Sequence, residues 1–136
     1  MVKTTVTYQG ELRTAAEHGP SGTQLLTDAP VDNNGKGQSF SPTDLVGTAL
    51  GSCILTMMGI VAERIGVDLS KAVANVEKIM VAAPTRRIGE LKVHIVVPNK
   101  VSEKDQIKLE HVALTCPVHQ SLHPDIKLPI TFEWGG

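Results

Sequence analysis

Leu45 to Ala62, LVGTALGSCILTMMGIVA, runs for eighteen residues without a charge and holds Cys53, one of only two cysteines in the chain. Such a run just reaches the length of a transmembrane candidate, about 18 to 20 apolar residues. Its small and polar members (Gly47, Gly51, Gly59, Thr48, Ser52, Thr56) and its lack of aromatic or basic anchors weigh against insertion. The remaining possibility is a helix apolar all round, buried through the middle of a domain or its dimer. Ser41-Pro42-Thr43-Asp44 just before it is a helix start: Ser41 as N-cap, Pro42 at the first helical position, Asp44 completing a capping box. Gly66 supplies a left-handed C-terminal cap, so the pattern predicts one helix over 42–65. Gly47 and Gly51 share a face of it, each costing up to about 1 kcal/mol against alanine, and are expected where another backbone comes close.

Outward from that helix, residues 2–28 alternate as short strands (Val2, Thr4, Val6, Tyr8) punctuated by Gly10, Gly19-Pro20 and Gly22, an N-terminal meander. Residues 29–39, APVDNNGKGQS, are loop. Ala72–Ala83 and Ile88–Val97 are β-like and joined by Pro84-Thr85-Arg86-Arg87, which predicts a hairpin. Ser102-Glu103-Lys104-Asp105 opens a second helix, with Ile107, Val112, Ala113 and Leu114 as its expected buried face. Pro117 breaks that helix beside Cys116 and can open a short new one. Ile126–Trp134 reads as a last strand, with Pro129 arguing for an edge or a bulge. The class is α+β, in a single domain over 1–136.

Composition narrows the function. At 136 residues and 41% hydrophobic, the chain can bury a core without staples, and at 3% aromatic that core is aliphatic. A net charge of -1, with both signs spread along the chain, gives no footprint for nucleic acid or an anionic membrane. The start, MVKTTVTYQG, lacks the apolar core of a signal peptide, so a cytoplasmic, reducing location is expected and a static structural disulfide is disfavoured.

A thiol reacts as thiolate, and at its ordinary pKa of about 8.5 a cysteine is mostly protonated at neutral pH. Cys53 lies about three turns into its helix, beyond the reach of the N-terminal dipole, and Arg64 is the first basic residue after it. A cation from elsewhere would have to activate it. Cys116, in Thr-Cys-Pro-Val-His, sits near the start of the short helix that Pro117 opens and could be a resolving cysteine. Taken alone, each thiol reads more readily as a small buried hydrophobe. A metal reading uses Cys116 and His119 with His111 and His123 nearby, but it offers only one short ligand pair where zinc normally wants four ligands. No metal and no cofactor is expected. Arg86-Arg87 reads as a solvated turn and Met57-Met58 as core.

Three segments carry a family resemblance: Ser41-Pro42-Thr43-Asp44-Leu45, Ala49-Leu50-Gly51-Ser52-Cys53 and Thr115-Cys116-Pro117-Val118. In these segments, and in the order of elements over nearly the whole chain, the sequence resembles the OsmC/Ohr family, the osmotically inducible and organic-hydroperoxide-resistance proteins. The resemblance implies an OsmC-like fold with antiparallel sheets, a long central apolar helix, a second cysteine-bearing helix and an intertwined homodimer with active sites between subunits. It implies a thiol-dependent peroxidase in which Cys53 attacks an organic hydroperoxide and becomes a sulfenic acid. Cys116 then closes a disulfide with it, and an external dithiol, lipoyl-type in the best-known branch, reopens that disulfide. It further implies an N-terminal arginine that stabilises the thiolate; Arg13 is the one arginine before Cys53. Thr43 stands where well-characterised branches carry a glutamate that pairs with this arginine. Asp44, the next residue, either orients Arg13 or caps its own helix. The departure keeps open an alternative: a redox sensor or hydrophobic-ligand-binding dimer of the same fold with little turnover.

Overall fold

A computed structural model of the protein describes all 136 residues. The chain forms two compact units, Met1–Leu45 and Val46–Gly136.

The first unit is the expected meander: β1 (Thr4–Gly10), β2 (Arg13–His18) and β3 (Gln24–Asp28), antiparallel in the order β1-β2-β3. The turn between β1 and β2 passes through Glu11 and Leu12, both left-handed at φ 55° and 63°, the twist that a tight hairpin requires. The sheet leaves large apolar side chains in the open, among them Val6, Tyr8 and Leu26. The buried residues of this unit are the polar trio Thr27, Asp28 and Ser41. The following loop folds on itself through a 3-10 turn at Val31–Asn33. Gly35 N–H donates to the carbonyl of Pro30 (2.9 Å), and Gly37 N–H to that of Ala29 (3.1 Å). It returns to β3 where Asp28 N–H donates to the Phe40 carbonyl at 3.0 Å.

The long helix, α1 (Pro42–Ile65), has the bounds its sequence predicts. Asp44 N–H donates to Ser41 Oγ (3.1 Å) while Ser41 N–H donates to Asp44 Oδ2 (2.9 Å), a reciprocal capping box. At the other end Gly66 turns left-handed at φ 75°, and Val67 N–H donates to the Ala62 carbonyl (2.8 Å), closing a Schellman turn.

In the second unit β4 (Val73–Val81) and β5 (Arg87–Lys100) make the predicted antiparallel hairpin. The chain then passes through α2 (Glu103–Ala113) and α3 (Pro117–Ser121), and β6 (Ile130–Gly135) pairs with the far side of β5. That pairing is parallel, unlike every other ladder in the protein. A crossover through two helices is long enough to carry the chain back so that the next strand runs in the same direction, which a tight hairpin cannot do. Pro129 lies just before the edge strand, where a missing N–H costs no ladder bond, and its carbonyl still accepts the Val93 N–H at 3.0 Å.

The core is aliphatic. Leu91, Val93, Ile95 and Val97 alternate inward from β5 and join Leu50, Ile54, Met58 and Ala62 of α1 and Leu109 and Ala113 of α2. What approaches the α1 glycines is side chain rather than another backbone. A Cβ on Gly51 would lie 2.8 Å from Val76 Cγ2, and one on Gly47 would lie 3.3 Å from both Leu91 and Val76. The buried face of α2 meets expectation at Ala113, with Val112 partly buried beside it, and differs elsewhere: Leu109 points inward, while Ile107 is 67% exposed and Leu114 is exposed. At about 100° per residue, Ile107 lies almost opposite Leu109, so one helix cannot bury both against one sheet. By length and hydropathy α1 could cross a membrane. Here one stripe of it packs in the core while Thr48, Ala49, Ser52, Thr56 and Ile60 remain exposed.

Candidate thiol site

Cys53 sits in mid-α1, one position before the core residue Ile54, and is half-buried. Cys116 follows α2 rather than lying within it. Helical hydrogen bonding ends with Leu114 and Thr115, Pro117 begins α3, and Cys116 becomes its N-cap in extended geometry (φ -63°, ψ 139°). Its side chain takes the place a serine usually fills: Sγ accepts the backbone N–H of His119 at 3.2 Å. The thiol is fully buried.

The two cysteines, 63 positions apart in sequence, are neighbours in the core of the second unit, close enough for Cys53 to act on the Cys116 thiol, and both are free thiols. Burial pushes the Cys116 thiol above its ordinary range, with the hydrogen bond and charge of Cys53 adding to the rise. The N–H groups of His119 and Val118 pull it down, but burial prevails. Cys116 is therefore a protonated partner at neutral pH, beside a more accessible Cys53.

No three histidine, cysteine, aspartate or glutamate side chains converge on a point that could hold a metal ion. What His119 gives Cys116 is its backbone N–H.

The first unit holds a second polar cluster. Arg13 opens β2, Asp28 closes β3, and the ladder sets the two directly opposite. Arg13 Nη2 lies 3.8 Å from Asp28 Oδ2. Gln38 joins them: its side-chain carbonyl accepts from Arg13 Nη2, and its backbone N–H donates to Asp28 Oδ2 at 3.0 Å. These side chains, with Gln9 and Ser39, line a cleft of about 280 Å³. From the sequence Asp44 either orients Arg13 or caps its own helix; its Oδ2 receives the Ser41 N–H, and neither Asp28 nor Gln38 was expected beside Arg13. The available signal was the meander itself: once β2 and β3 are paired through the turn at Gly22, Asp28 is the residue facing Arg13. Thr43, where a glutamate was expected, shares a hydroxyl contact with Ser41 at 3.2 Å.

A family model described as OsmC-like protein matches residues 35–131. Among solved structures, a candidate osmotic stress induced and detoxification response protein from Psychrobacter arcticus is 46% identical. The match covers 97% of this chain and 96% of that one, with a TM-score of 0.92. An OsmC-like protein from Mycoplasma pneumoniae is 18% identical over 100% of this chain and 98% of its own, with a TM-score of 0.84. An organic hydroperoxide resistance protein OsmC from Legionella pneumophila is 15% identical over 98% and 96%, with a TM-score of 0.78. At these last two identities the likeness is one of fold. No curated protein matches the chain.

Proposed function

The chain belongs to the OsmC-like protein family, and from that premise we propose that it is a thiol peroxidase that reduces organic hydroperoxides. The observation that carries this reading is the meeting of Cys53 and Cys116, the only two thiols in the chain. A half-exposed cysteine beside a buried, protonated one is the division of labour that a two-cysteine peroxidase needs. In the first step the Cys53 thiolate attacks the distal oxygen of ROOH. The O–O bond breaks, the alkoxide takes a proton and leaves as ROH, and Cys53 becomes a sulfenic acid. In the second, Cys116 displaces hydroxide from that sulfur; the S–S bond forms and water leaves with the Cys116 proton. In the third, an external dithiol, lipoyl-type in our reading, exchanges with the disulfide and is itself oxidised while both protein thiols are restored.

Arg13 is the cation we assign to the Cys53 thiolate: a guanidinium stays charged and presents several donors at once. The active form in this reading is a cytoplasmic homodimer in which the whole chain, 1–136, acts as one module. The exposed Val6, Tyr8 and Leu26 of the first unit and the exposed Ile60 of α1 support it, because they are the kind of surface a second copy covers. The Legionella relative, named for organic hydroperoxide resistance, supports the substrate class.

The test is consumption of cumene hydroperoxide with a dithiol reductant. Cys53→Ser should abolish turnover, and Cys116→Ser should leave a sulfenic acid at Cys53 that dimedone traps. Reaction of wild-type Cys53 no faster than free cysteine sinks the proposal.

One observation favours a second reading, a redox sensor or ligand-binding dimer. A cleft of about 320 Å³ runs beside α1, with Leu55, Ala62, Val67, Leu69 and Ala72 in its walls. A hydrophobic molecule co-purifying in stoichiometric amount, together with slow peroxide turnover, would select that reading.

A further inference from the structure

We propose that Thr131, His94 and Glu133 form a nucleophilic relay on the outer face of the β4–β5–β6 sheet and give the protein a second activity, the hydrolysis of small esters. All three lie in the second unit, on the face of the sheet turned away from the core that contains both thiols.

The pleat of the two strands puts them there. Leu91, Val93 and Ile95 enter the core from β5, so Lys92 and His94 between them point outward. On β6, Phe132 and Trp134 pack against the core, and Thr131 and Glu133 are exposed on the other side. The parallel ladder then sets His94 directly beside Thr131. His94 Nδ1 and Thr131 Oγ1 are 2.6 Å apart, the short end of an ordinary hydrogen bond. The other ring nitrogen, Nε2, faces Glu133 Oε1 at 3.7 Å. One imidazole holds a hydroxyl on one nitrogen and faces a carboxylate with the other, the arrangement in which a base activates an alcohol and a third group orients the base.

The relay opens on a cleft of about 270 Å³, lined by His94 and Thr131 together with Lys92 and with Asn75, the ladder partner of His94 on β4. A cleft at the small end for ligand sites suits a short acyl ester rather than a peptide or a long lipid. Lys92 brings a cation and Asn75 its amide donors to the same space, and these are the groups that stabilise the oxyanion of a tetrahedral intermediate.

With the ring proton on Nε2, His94 Nδ1 accepts the proton of the Thr131 hydroxyl. Thr131 Oγ1 attacks the ester carbonyl carbon, a new C–O bond forms, the bond to the alcohol breaks, and His94 gives the proton to the departing alcohol. Water then attacks the acyl-threonine and passes a proton to His94, and the carboxylic acid leaves as that proton returns to Thr131 Oγ1. No oxidant or reductant enters. Each imidazolium that forms faces the Glu133 carboxylate, but that side chain is 68% exposed, so water screens it and its share is small.

The test is hydrolysis of p-nitrophenyl acetate by the full chain carrying Cys53→Ser and Cys116→Ala, which removes acyl transfer to a thiol. The protein should outpace free imidazole at equal concentration, and tandem mass spectrometry after a rapid acid quench should find an acetyl group on Thr131. Thr131→Val should abolish both, and Thr131→Ser, which keeps a hydroxyl, should retain them. His94→Gln should lower the rate about 100-fold, the low end for a positioned acid–base group, and flatten its rise with pH. Glu133→Gln should lower it only slightly.

A rate no greater than that of free imidazole overturns the inference. So does an acetyl group on Lys92 with none on Thr131, or an unchanged rate in Thr131→Val. Should circular dichroism find Thr131→Val unfolded, His94→Gln decides: loss of the Thr131 acetyl group and of the pH dependence upholds the relay, and their persistence overturns it. Should the cysteine-free background not fold, the wild-type protein is used, and the same mapping reads whether the acetyl group sits on threonine or thiol. The relay needs neither thiol, so its failure leaves the peroxidase reading intact, and failure of the hydroperoxide assay leaves the relay intact.

Discussion

Cys53 and Cys116 lie against each other as unequal acids, the first half-exposed in mid-helix and the second fully buried at a helix cap with its pKa raised. The inequality has a thermodynamic consequence. A thiol whose folded pKa lies above its unfolded value favours the folded state fully at pH below the unfolded pKa, and loses that contribution as pH climbs through the folded one. The reduced protein should therefore lose stability as pH rises above about 8.5, the ordinary thiol range. Cys116→Ala should flatten this alkaline slope in urea denaturation followed from pH 7 to 10. An equal slope in the variant would show that burial of Cys116 is not its source.

The close contact between α1 and its sheet makes Gly51 a sensitive position. Alanine there would gain up to about 1 kcal/mol of helix propensity but would set its Cβ 2.8 Å from Val76 Cγ2, and such overpacking typically costs about 1 to 3 kcal/mol. Gly51→Ala should be destabilising on balance, and Val76→Ala in the same chain should recover much of the loss. Urea midpoints of the two single variants and the double variant test this.

Both ends of α1 should show their caps in the same assay. Ser41→Ala removes the acceptor for the Asp44 N–H and should cost about 1 kcal/mol. Gly66→Ala forces a Cβ into a left-handed residue at φ 75° and should cost about 1 to 2 kcal/mol. Losses below about 0.3 kcal/mol, less than the usual range for such caps, would mean that these ends are held by something else.

A second copy of the chain is what we expect over the open face of α1. Sedimentation should give twice the 14.5 kDa chain mass, and Ile60→Lys, which places a charge at a position 42% exposed, should shift the protein toward monomer. A monomeric wild type at micromolar concentration would remove the homodimer from the proposal.

The helix was legible because each of its determinants is local. Ser41, Pro42 and Asp44 at one end and Gly66 at the other are read within four residues of where they act. The meander and the β4–β5 hairpin followed for the same reason, from alternation and turn residues. Facts set by distant partners were harder to see. The parallel placement of β6 depends on where two helices return the chain, and no residue in Ile130–Gly135 records it. In α2 the run Val112-Ala113-Leu114 looks apolar throughout, and only the position of the sheet decides that Leu109 and Ala113 enter the core. At the candidate site the cysteines could be named from the sequence, whereas Arg13's carboxylate could not: Asp28 lies fifteen positions away and is found only by counting the ladder.

Cys116 Sγ, finally, is the only side-chain group that caps α3, so the five-residue helix is anchored at its start by an atom whose electron density changes with redox state. A thiol, a thiolate and a disulfide sulfur differ as acceptors, and the His119 amide sits 3.2 Å from whichever is present. That amide is in effect a spectroscopic gauge wired to the sulfur. Its nitrogen and proton resonances should track the oxidation state of the protein without any added label.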